Sequence, residues 1–556
     1  MKKNLTSALL FIAAALFLFF FLIPQIPLWS SDEGRFADIA RSMHVSGNWI
    51  VPFFNGLPYL EKPAFASWTT ALAYHALGTN ALATRLPGIL SALGGLILAF
   101  IFMRRLFGKT AAGYAVLCLM TTVGYVLVGR FAVIDMQMVF LLSASIFLLM
   151  LGVFEQKNYL YLAAGVFMGL TFLTKGLIGG ALPAIIFFTF LAFTGRWKEF
   201  KKIHILLLTF LIFLAVSIPW VLAMLKRQPE FLDVFIFEHH FKRFTTSTFG
   251  RKRPFWFFTY ILPIISFPWC LFLPAAIASA WKSEKIHKEK MLFFILWAIV
   301  IFVFFSIPHS KLPYYIVPAA VPLALFCGVF LSRWIQGEDI HLSPSWMEWT
   351  WRVTCAIFIA GAAGINISLL FSNKVPELQL IRAWVPLGAL LLGIGGIEAF
   401  YFFKKGRRRV AILTLAASTY LCLIVVVVCM LKLSPIQSTV NFADIIRENS
   451  KPDDIVAVFS SPDRFSDLPF YLERRVAIVG ADRGTLNRES RQQENAALAE
   501  GGFYEIGVLL ERIQNEKTKR IFCLLEKDRL PELLKQGMKD YRIWMESYDR
   551  VLISNF

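Results

Sequence analysis

The side chains best suited to chemistry in this 556-residue chain lie in short polar stretches between long apolar runs. Asp32 lies in "WSSDEGRFADIARSM" and Asp135 in "GRFAVIDMQMVF". Cations stand in similar stretches: Lys62 in "YLEKP", Arg243 in "EHHFKRF" and Lys311 in "SKLPYYIVP". Cations in a low-dielectric cleft bind phosphate, and a nearby carboxylate can stabilise positive charge at a sugar's anomeric carbon or act as a general base. The set therefore suits displacement of a phosphate from a sugar.

Each of these residues also has a purely structural explanation. An acid such as Asp32 in the first turn of a helix suits the helix dipole, and a lone lysine such as Lys62 can extend toward lipid headgroups. Asp135 is harder to explain, because a carboxylate at the end of a membrane span is costly when it faces lipid. We therefore expect Asp135 to face a cavity.

The elements that must position these side chains are membrane spans. The chain is 57% hydrophobic and only 17% charged, well below the quarter of charged residues typical of soluble proteins. A span needs about 20 apolar residues. Scanning for such runs predicts thirteen spans: Leu9–Leu28, Leu86–Met103, Ala111–Val128, Met136–Phe154, Tyr159–Leu173, Leu177–Phe193, Ile205–Leu225, Phe255–Ala280, Met291–Ile307, Tyr314–Leu331, Val353–Phe371, Ala383–Phe403 and Val410–Met430.

The distribution of charge predicts the orientation. With a cytoplasmic N-terminus, the basic turns "MRRLFGK", "GRWKEFKK" and "KKGRRR" all fall on the cytoplasmic side, as the positive-inside rule requires. Every polar stretch with candidate site residues then falls on the opposite face. The net charge of +19 therefore reflects membrane topology, and we expect no nucleic-acid partner. The seven cysteines form no CxxC motif, and no disulfide framework is predicted.

Three regions follow from this topology. Residues 1–433 form a membrane domain, within which residues 29–84 are a first outer loop with helices at the membrane surface. In that loop, Ser30 and Glu33 have capping-box spacing, and the next apolar residues recur on one helical face. We expect this helix to lie along the membrane with Arg35, Asp38 and Arg41 turned away from its apolar face. Residues 434–556 contain four short apolar runs typical of strands, "DDIVAVFSS", "RRVAIVG", "KRIFCLLE" and "RVLISNF", and are predicted to be a small α/β domain.

The ordered set "SDEGRFADIARSM", "YLEKP", "GRFAVIDMQMVF", "FLTKGLIG", "EHHFKRF" and "SKLPYYIVP" resembles the bacterial 4-amino-4-deoxy-L-arabinose lipid A transferases. These enzymes belong to the protein O-mannosyltransferase-like superfamily of GT-C glycosyltransferases. The resemblance implies a GT-C fold, an undecaprenyl phosphate-linked sugar donor, inversion at the anomeric carbon and lipid A as acceptor. It also implies a monomer in a Gram-negative inner membrane, with its active site on the periplasmic face, and a role in polymyxin resistance.

The resemblance also implies roles for individual residues. Asp32 and Asp135 correspond to the two catalytic acids. Lys62, Arg243 and Tyr315 correspond to the group that holds the donor phosphate. Lys311, from its place among the outer cations, and Tyr59 are further candidates for substrate binding. No cofactor is required. A divalent metal, zinc or magnesium, is a further expectation, with Glu61, His239 and His240 as ligands and Glu238 as an alternative; a complete set of three or four ligands is not visible.

Two alternatives remain open at this point. The same scaffold could transfer another sugar, such as mannose, galacturonic acid or a hexosamine, to lipid A, to its core or to protein Ser and Thr. A transporter or flippase belongs to a different class, and such proteins often carry inverted repeats with charges in the middle of the membrane. Here the charges cluster at one face, which favours the enzyme.

Overall fold

A helical bundle makes up most of the molecule. The computed structural model describes residues 2–242, 253–480, 502–504, 520–535 and 541–556. Within these residues the helices of the bundle and its loops are α1 Lys2–Phe20, α2 Asp32–Ser46, α3 Phe65–Leu77, α4 Ala81–Met120, α5 Val123–Arg130, α6 Ile134–Glu155, α7 Asn158–Lys175, α8 Ile178–Thr194, α9 Ile203–Arg227, α10 Phe257–Ile265, α11 Leu273–Trp281, α12 Lys285–Ser306, α13 Val317–Gln336, α14 Pro344–Ser368, α15 Pro376–Ile381, α16 Val385–Lys404 and α17 Arg408–Gln437. A π-helix, Asp233–Lys242, follows α9.

The chain is a multi-pass membrane protein. Among the described residues eight helices are long and apolar enough to cross a membrane, and nine if a bent pair counts as one span. Two shorter apolar helices, Ala8–Phe20 and α8, add to these. Each of the thirteen predicted spans overlaps a helix of the structure. The second and third spans share α4, which is bent at Gly108, where φ is 85°. The eighth, predicted as continuous, is broken into α10 and Trp269–Trp281, which meet at 103°.

A buried ion pair joins the first loop to the bundle. The guanidinium of Arg85 in α4 pairs with Glu33 in α2, and both side chains are almost fully buried. Arg85 also donates to the carbonyls of Ile23, Ile26 and Pro27, at 3.2, 2.5 and 3.0 Å. These carbonyls follow the end of α1, where backbone acceptors have no helical partner. One arginine thus fixes the chain where it leaves the first span.

The predicted capping box at the start of α2 is wrong. The Ser31 side chain makes no cap hydrogen bond, and Glu33 accepts from the backbone N–H of Trp29 at 3.0 Å as well as from Arg85. Ser30 instead donates its hydroxyl to Asp467, 437 residues further along the chain, at 2.7 Å. The S-x-x-E spacing therefore does not produce a capping box here, because Ser30 contacts Asp467 and Glu33 contacts Arg85 and the Trp29 N–H.

Helix α2 is buried on its charged face as well as its apolar face. Ile39, Ala40 and Met43 are buried, as the periodicity predicted. Arg35 and Asp38, which point away from that apolar face, are buried too, at 7% and 1% exposure, so the charged face of the helix also packs against protein. Buried charges need partners, and the C-terminal part of the chain supplies some of them. The helix lies between the bundle and that region.

The C-terminal region contains a six-stranded sheet. Its described elements are α18 Val440–Asn449, β3 Ile455–Phe459, α19 Leu468–Leu472, β4 Ala477–Val479, β5 Phe503–Tyr504, β6 Ile521–Glu526, α20 Leu530–Lys535, β7 Arg542–Ser547 and β8 Arg550–Ser554. The strand order is β5-β4-β3-β6-β8-β7, with β5, β4, β3 and β6 parallel and the last two pairings antiparallel. Alternate residues of β3 belong to two apolar clusters, so both faces are covered. All four predicted strands are present.

A hairpin in the first loop contacts this sheet region. Strands β1 Phe53–Phe54 and β2 Leu57–Pro58 are joined by Asn55 and Gly56. Both residues have positive φ, as is usual in a two-residue hairpin turn. The Asn55 amide donates to the carbonyl of Val476 and accepts from its N–H, each at 2.8 Å. The hairpin therefore extends the contact between the first loop and the C-terminal region.

The Glu33–Arg85 pair predicts a large loss of stability when one partner is removed. In Arg85→Leu, Glu33 is left as a buried carboxylate without its counter-charge, which typically costs about 3–5 kcal/mol. Chemical unfolding of the purified protein in detergent micelles measures the loss. Arg105→Leu is the matched control, because Arg105 pairs with Glu155 at 3.6 Å and its side chain is 44% exposed; its expected cost is below about 1 kcal/mol. Equal losses in both variants would contradict the assignment.

Candidate active site

Asp32, the first residue of α2, accepts a hydrogen bond on each carboxylate oxygen. Arg35, one helical turn later, donates to Oδ1, and the phenol of Tyr314 donates to Oδ2. Asp32 retains 20% side-chain exposure, whereas Arg35 is only 8% exposed. A cation and a phenol thus fix the carboxylate, which keeps part of its surface exposed.

Asp135, the second residue of α6, lies in a closed ion pair. Its Oδ1 accepts from the ammonium of Lys175, the last residue of α7, and the two side chains are 4% and 10% exposed. Asp32 and Lys62 lie close enough to act electrostatically on the same carboxylate. Asp135 is thus provided with a buried counter-charge, as the cost of an intramembrane carboxylate requires, and the expectation that it faces a cavity stays a prediction.

Two adjacent tyrosines connect the acids. The rings of Tyr314 and Tyr315 lie 5.2 Å apart, nearly perpendicular, at the start of α13. Tyr314 donates to Asp32, while the Lys175 ammonium lies 4.4 Å from the centre of the Tyr315 ring, a cation–π distance. The structure therefore brings Asp32, Asp135 and Tyr315 of the sequence prediction into one cluster.

Tyr59 lies beside this cluster as a buried neutral phenol. It is 3% exposed, and its hydroxyl donates to Glu61 Oε2 at 3.3 Å. Burial raises the pKa of Tyr59 well above its usual value, the negative charge of Glu61 raises it further, and Arg35 opposes this rise. Tyr59 is thus a permanent hydrogen-bond donor at physiological pH. Lys62, the next predicted cation, is half-buried.

Lys311 is a buried cation in the connection between α12 and α13. It is 2% exposed, and its ammonium donates to the carbonyl of Arg253 at 3.3 Å. Burial lowers the pKa of Lys311 below the usual value. The backbone N–H of Arg253 in turn donates to the carbonyl of His309 at 3.0 Å. The segment before α10 is therefore hydrogen-bonded, next to this lysine, to the segment between α12 and α13.

Three predicted residues cannot be placed in the site. Arg243 lies outside the described residues, and so do the side chains of His239 and His240. Of the predicted metal ligands, only Glu61 has a described side chain, and its carboxylate accepts from Tyr59. Within the described parts of the chain, no group of three His, Cys, Asp or Glu residues is arranged to bind a metal ion. The metal site remains a prediction.

Comparison with known proteins places this geometry in a known fold. Residues 61–222 match the family model described as dolichyl-phosphate-mannose-protein mannosyltransferase. The crystal structure of ArnT from Cupriavidus metallidurans bound to undecaprenyl phosphate superposes with a TM-score of 0.83 at 25% sequence identity, covering 99% of this chain and 98% of that one. Its apo form gives a TM-score of 0.82. The predicted GT-C fold with a small C-terminal α/β domain is confirmed.

Curated relatives agree with the structural neighbour. The chain is 33% identical, over 342 residues, to an undecaprenyl phosphate-α-4-amino-4-deoxy-L-arabinose arabinosyl transferase from Edwardsiella ictaluri, and 31% identical, over 347 residues, to one from Pseudomonas paraeruginosa. The chain is a relative of the aminoarabinose transferases. The resemblance inferred from the motifs is confirmed. The alignments span 60% and 62% of the length of these two transferases and 59% and 61% of this chain.

The sequence prediction missed three members of the cluster. Arg35 is predicted only to point away from the apolar face of its helix, and Lys175 and Tyr314 are absent from the predicted site residues. A signal for Lys175 existed in the sequence, because an isolated cation between two apolar runs must face a partner inside the protein. For Tyr314 the sequence carried no comparable signal, since the same "PYY" stretch offers two phenols. The aminoarabinose transferase resemblance directed attention to only the second.

The ion pair at Asp135 predicts strong coupling between its partners. Lys175→Met leaves Asp135 buried without a counter-charge and is expected to destabilise the protein more than the double variant Asp135→Asn, Lys175→Met. A double-mutant cycle on unfolding free energies in micelles should give a coupling of about 1–3 kcal/mol. The same cycle on the exposed Lys157–Glu155 pair should give less than about 1 kcal/mol. Similar values for both cycles would show that the buried pair has no special role.

Proposed function

We propose that this protein is an inverting glycosyltransferase that moves 4-amino-4-deoxy-L-arabinose from undecaprenyl phosphate to lipid A. The observation that carries the proposal is the cluster formed by Asp32, Asp135 and the tyrosine pair at the start of α13. Support also comes from the ArnT structure, which was obtained with undecaprenyl phosphate, and from the names of the curated relatives.

We assign binding of the donor phosphate to Lys62, Lys311, Arg243, Tyr59 and Tyr315. Lys311 and Tyr59 are buried, and a charge-assisted hydrogen bond to phosphate is strongest in such a low-dielectric place. As the bond from the anomeric carbon to the phosphate oxygen breaks, negative charge grows on the phosphate that these groups bind. They therefore favour departure of the undecaprenyl phosphate.

We assign to Asp32 the stabilisation of positive charge in the transition state. Both of its oxygens already accept hydrogen bonds, from Arg35 and Tyr314, and such bonds stabilise the carboxylate form. An acceptor phosphate on lipid A is anionic and needs no base. Asp32 then stabilises the charge that develops at the anomeric carbon or binds the amino group of the sugar. Asp135, neutralised by Lys175, contributes by fixing the same wall of the site.

The remaining assignments follow from the relatives and from the predicted topology. We place the protein in the inner membrane of a Gram-negative bacterium with Asp32 on the periplasmic face, acting as a monomer. Modified lipid A carries less negative charge, which accounts for the expected link to polymyxin resistance. No cofactor is assigned. A divalent metal on Glu61 and the His239–His240 segment remains part of the proposal, and it would supply electrostatic stabilisation of phosphate.

The first test is mass spectrometry of lipid A. Cells with the wild-type protein should show an increment of one pentosamine on a phosphate, and cells without the gene should not. Asp32→Asn removes the charge but keeps the shape, so the increment should fall by about 100-fold or more if Asp32 stabilises the transition state. Asp528→Asn, on an exposed turn of the C-terminal region, is the matched control and should behave as wild type.

Other outcomes of that experiment are equally informative. A hexose, hexuronic acid or hexosamine increment that disappears with Asp32→Asn would retain the mechanism and change the sugar. Lipid A of unchanged mass in wild-type and deletion cells would refute lipid A as acceptor, and glycosylated periplasmic proteins would be examined next. Full modification by Asp32→Asn would refute the role of Asp32.

The lowered pKa of Lys311 predicts a pH dependence of donor binding. Lysine usually loses its proton near pH 10.5, and burial moves the loss to lower pH. If the charge of Lys311 binds the donor phosphate, KM for the donor should begin to rise at a pH below 10.5 as the lysine loses its proton. The value of kcat should change less. Lys311→Arg stays charged throughout this range and should flatten the rise. Lys226→Arg, at the exposed end of α9, should keep the wild-type profile. A flat wild-type profile would contradict the assignment.

A further inference from the structure

A single carboxylate of the C-terminal region joins three segments next to the site. Asp467, at the start of α19, is fully buried. Its Oδ1 accepts from the Ser30 hydroxyl at 2.7 Å, and its Oδ2 accepts from the Ser438 hydroxyl at 2.9 Å and the Thr439 N–H at 2.7 Å. Ser30 lies two residues before Asp32, and Ser438 and Thr439 follow the last helix of the bundle. Asp467 therefore fixes the start of α2 relative to the end of α17.

A second carboxylate of the same turn reaches Asp32 through one intermediate. Asp463 lies 3.2 Å from Arg35 Nη1, while Nη2 of the same guanidinium donates to Asp32. Arg35 is thus shared between an acid of the site and an acid of the C-terminal region. Since Arg35 is 8% exposed and Asp463 26%, the charge of Asp463 acts on Arg35 with limited screening.

Close packing supports these polar contacts. The Ser466 hydroxyl donates to the carbonyl of Ser31 at 2.7 Å, and the N–H of Ser30 donates to the carbonyl of Gln437 at 2.8 Å. A Cβ on Gly34 would lie 2.4 Å from the backbone nitrogen of Asp467. Only a glycine permits this approach of α2 to the C-terminal turn. The segment 30–35 is therefore held along its length by residues 437–467.

We propose that the C-terminal α/β region contributes to turnover at the active site, with Asp463 and Asp467 as residues that position Asp32. Asp467 sets the place of the helix start that carries Asp32. Asp463 orients the Arg35 guanidinium. Because Arg35 also pairs with Asp463, its positive charge is shared between Asp463 and Asp32. The inference rests on the proposed function, because it concerns how fast the Asp32 site transfers a sugar. It assigns to residues 463–467 a role in turnover.

The proposal predicts an effect on kcat with little effect on donor KM. A displacement of Asp32 by a fraction of an ångström to about 1 Å weakens an interaction made in the transition state and costs roughly tenfold to a hundredfold in rate. Asp467→Ala, which leaves three buried donors without their acceptor, should give the larger loss. Asp463→Asn should give a smaller one, and Asp463→Glu, which keeps the charge, should recover most of it. Asp528→Asn is the matched control.

The kinetic experiment uses the purified full-length protein in lipid nanodiscs with an undecaprenyl phosphate-linked sugar that the wild type transfers. Loss of kcat in Asp467→Ala and Asp463→Asn, with recovery by Asp463→Glu, supports positioning. Wild-type kcat in both variants overturns it and leaves the proposed function intact. A uniform loss in which Asp463→Glu is as slow as Asp463→Asn also overturns the charge-based role of Asp463.

A measurement independent of activity keeps the inference testable if the wild type transfers no sugar in that assay. Hydrogen–deuterium exchange of the peptide covering residues 29–43 should be slow in wild type and in Asp528→Asn. It should become at least about tenfold faster in Asp467→Ala, because the helix start loses its anchor. Peptides from α13 should be unchanged, which shows that the bundle is folded. Unchanged exchange in residues 29–43 would overturn the positioning of α2 by Asp467, whatever the substrate proves to be.

Discussion

The ion pair between Glu33 and Arg85 is the interaction on which the site depends. Glu33 accepts from Arg85 and Trp29, and its Oε1 also accepts from the N–H of Ala132 at 2.7 Å, three residues before Asp135. One carboxylate thus fixes the segments that carry both acids. Its neighbour in sequence, Asp32, is therefore positioned by the contacts of Glu33. Of the consecutive acids in "SDEGR", the first contacts Tyr314 and the second fixes the backbone.

Asp32 and Asp135 differ in their partners and in their exposure. Asp135 has a lysine as its direct partner and almost no exposure, so its charge is largely balanced within the protein. Asp32 has partners on both oxygens yet retains exposure toward one side. The two carboxylates therefore differ in accessibility, although each is paired with a cation.

Much of the framework could be predicted from local sequence, and the site only in part. Each predicted apolar run overlaps a helix, and among the described residues eight or nine of these helices are long and apolar enough to cross a bilayer. Four strands were found from their apolar runs, whereas β7 was missed because "RIWMES" mixes exposed and half-buried residues at the edge of the sheet. The partners of the acids were missed for another reason. Lys175 and Tyr314 lie 40 and 282 residues from the acids they contact, so no local pattern shows which acid each of them pairs with.

The contact between Ser30 and Asp467 spans 437 residues, and this separation has a consequence for biogenesis. During synthesis the first span and its loop enter the membrane while the segment that completes their fold does not yet exist. Helix α2 must remain incompletely packed until residues 463–467, which supply several of its polar contacts, have been synthesised. Contacts of such long range form late and slowly. Because residues 463–467 follow the last helix of the bundle, a product that ends after α17 would have the helices of the bundle but not these partners of α2.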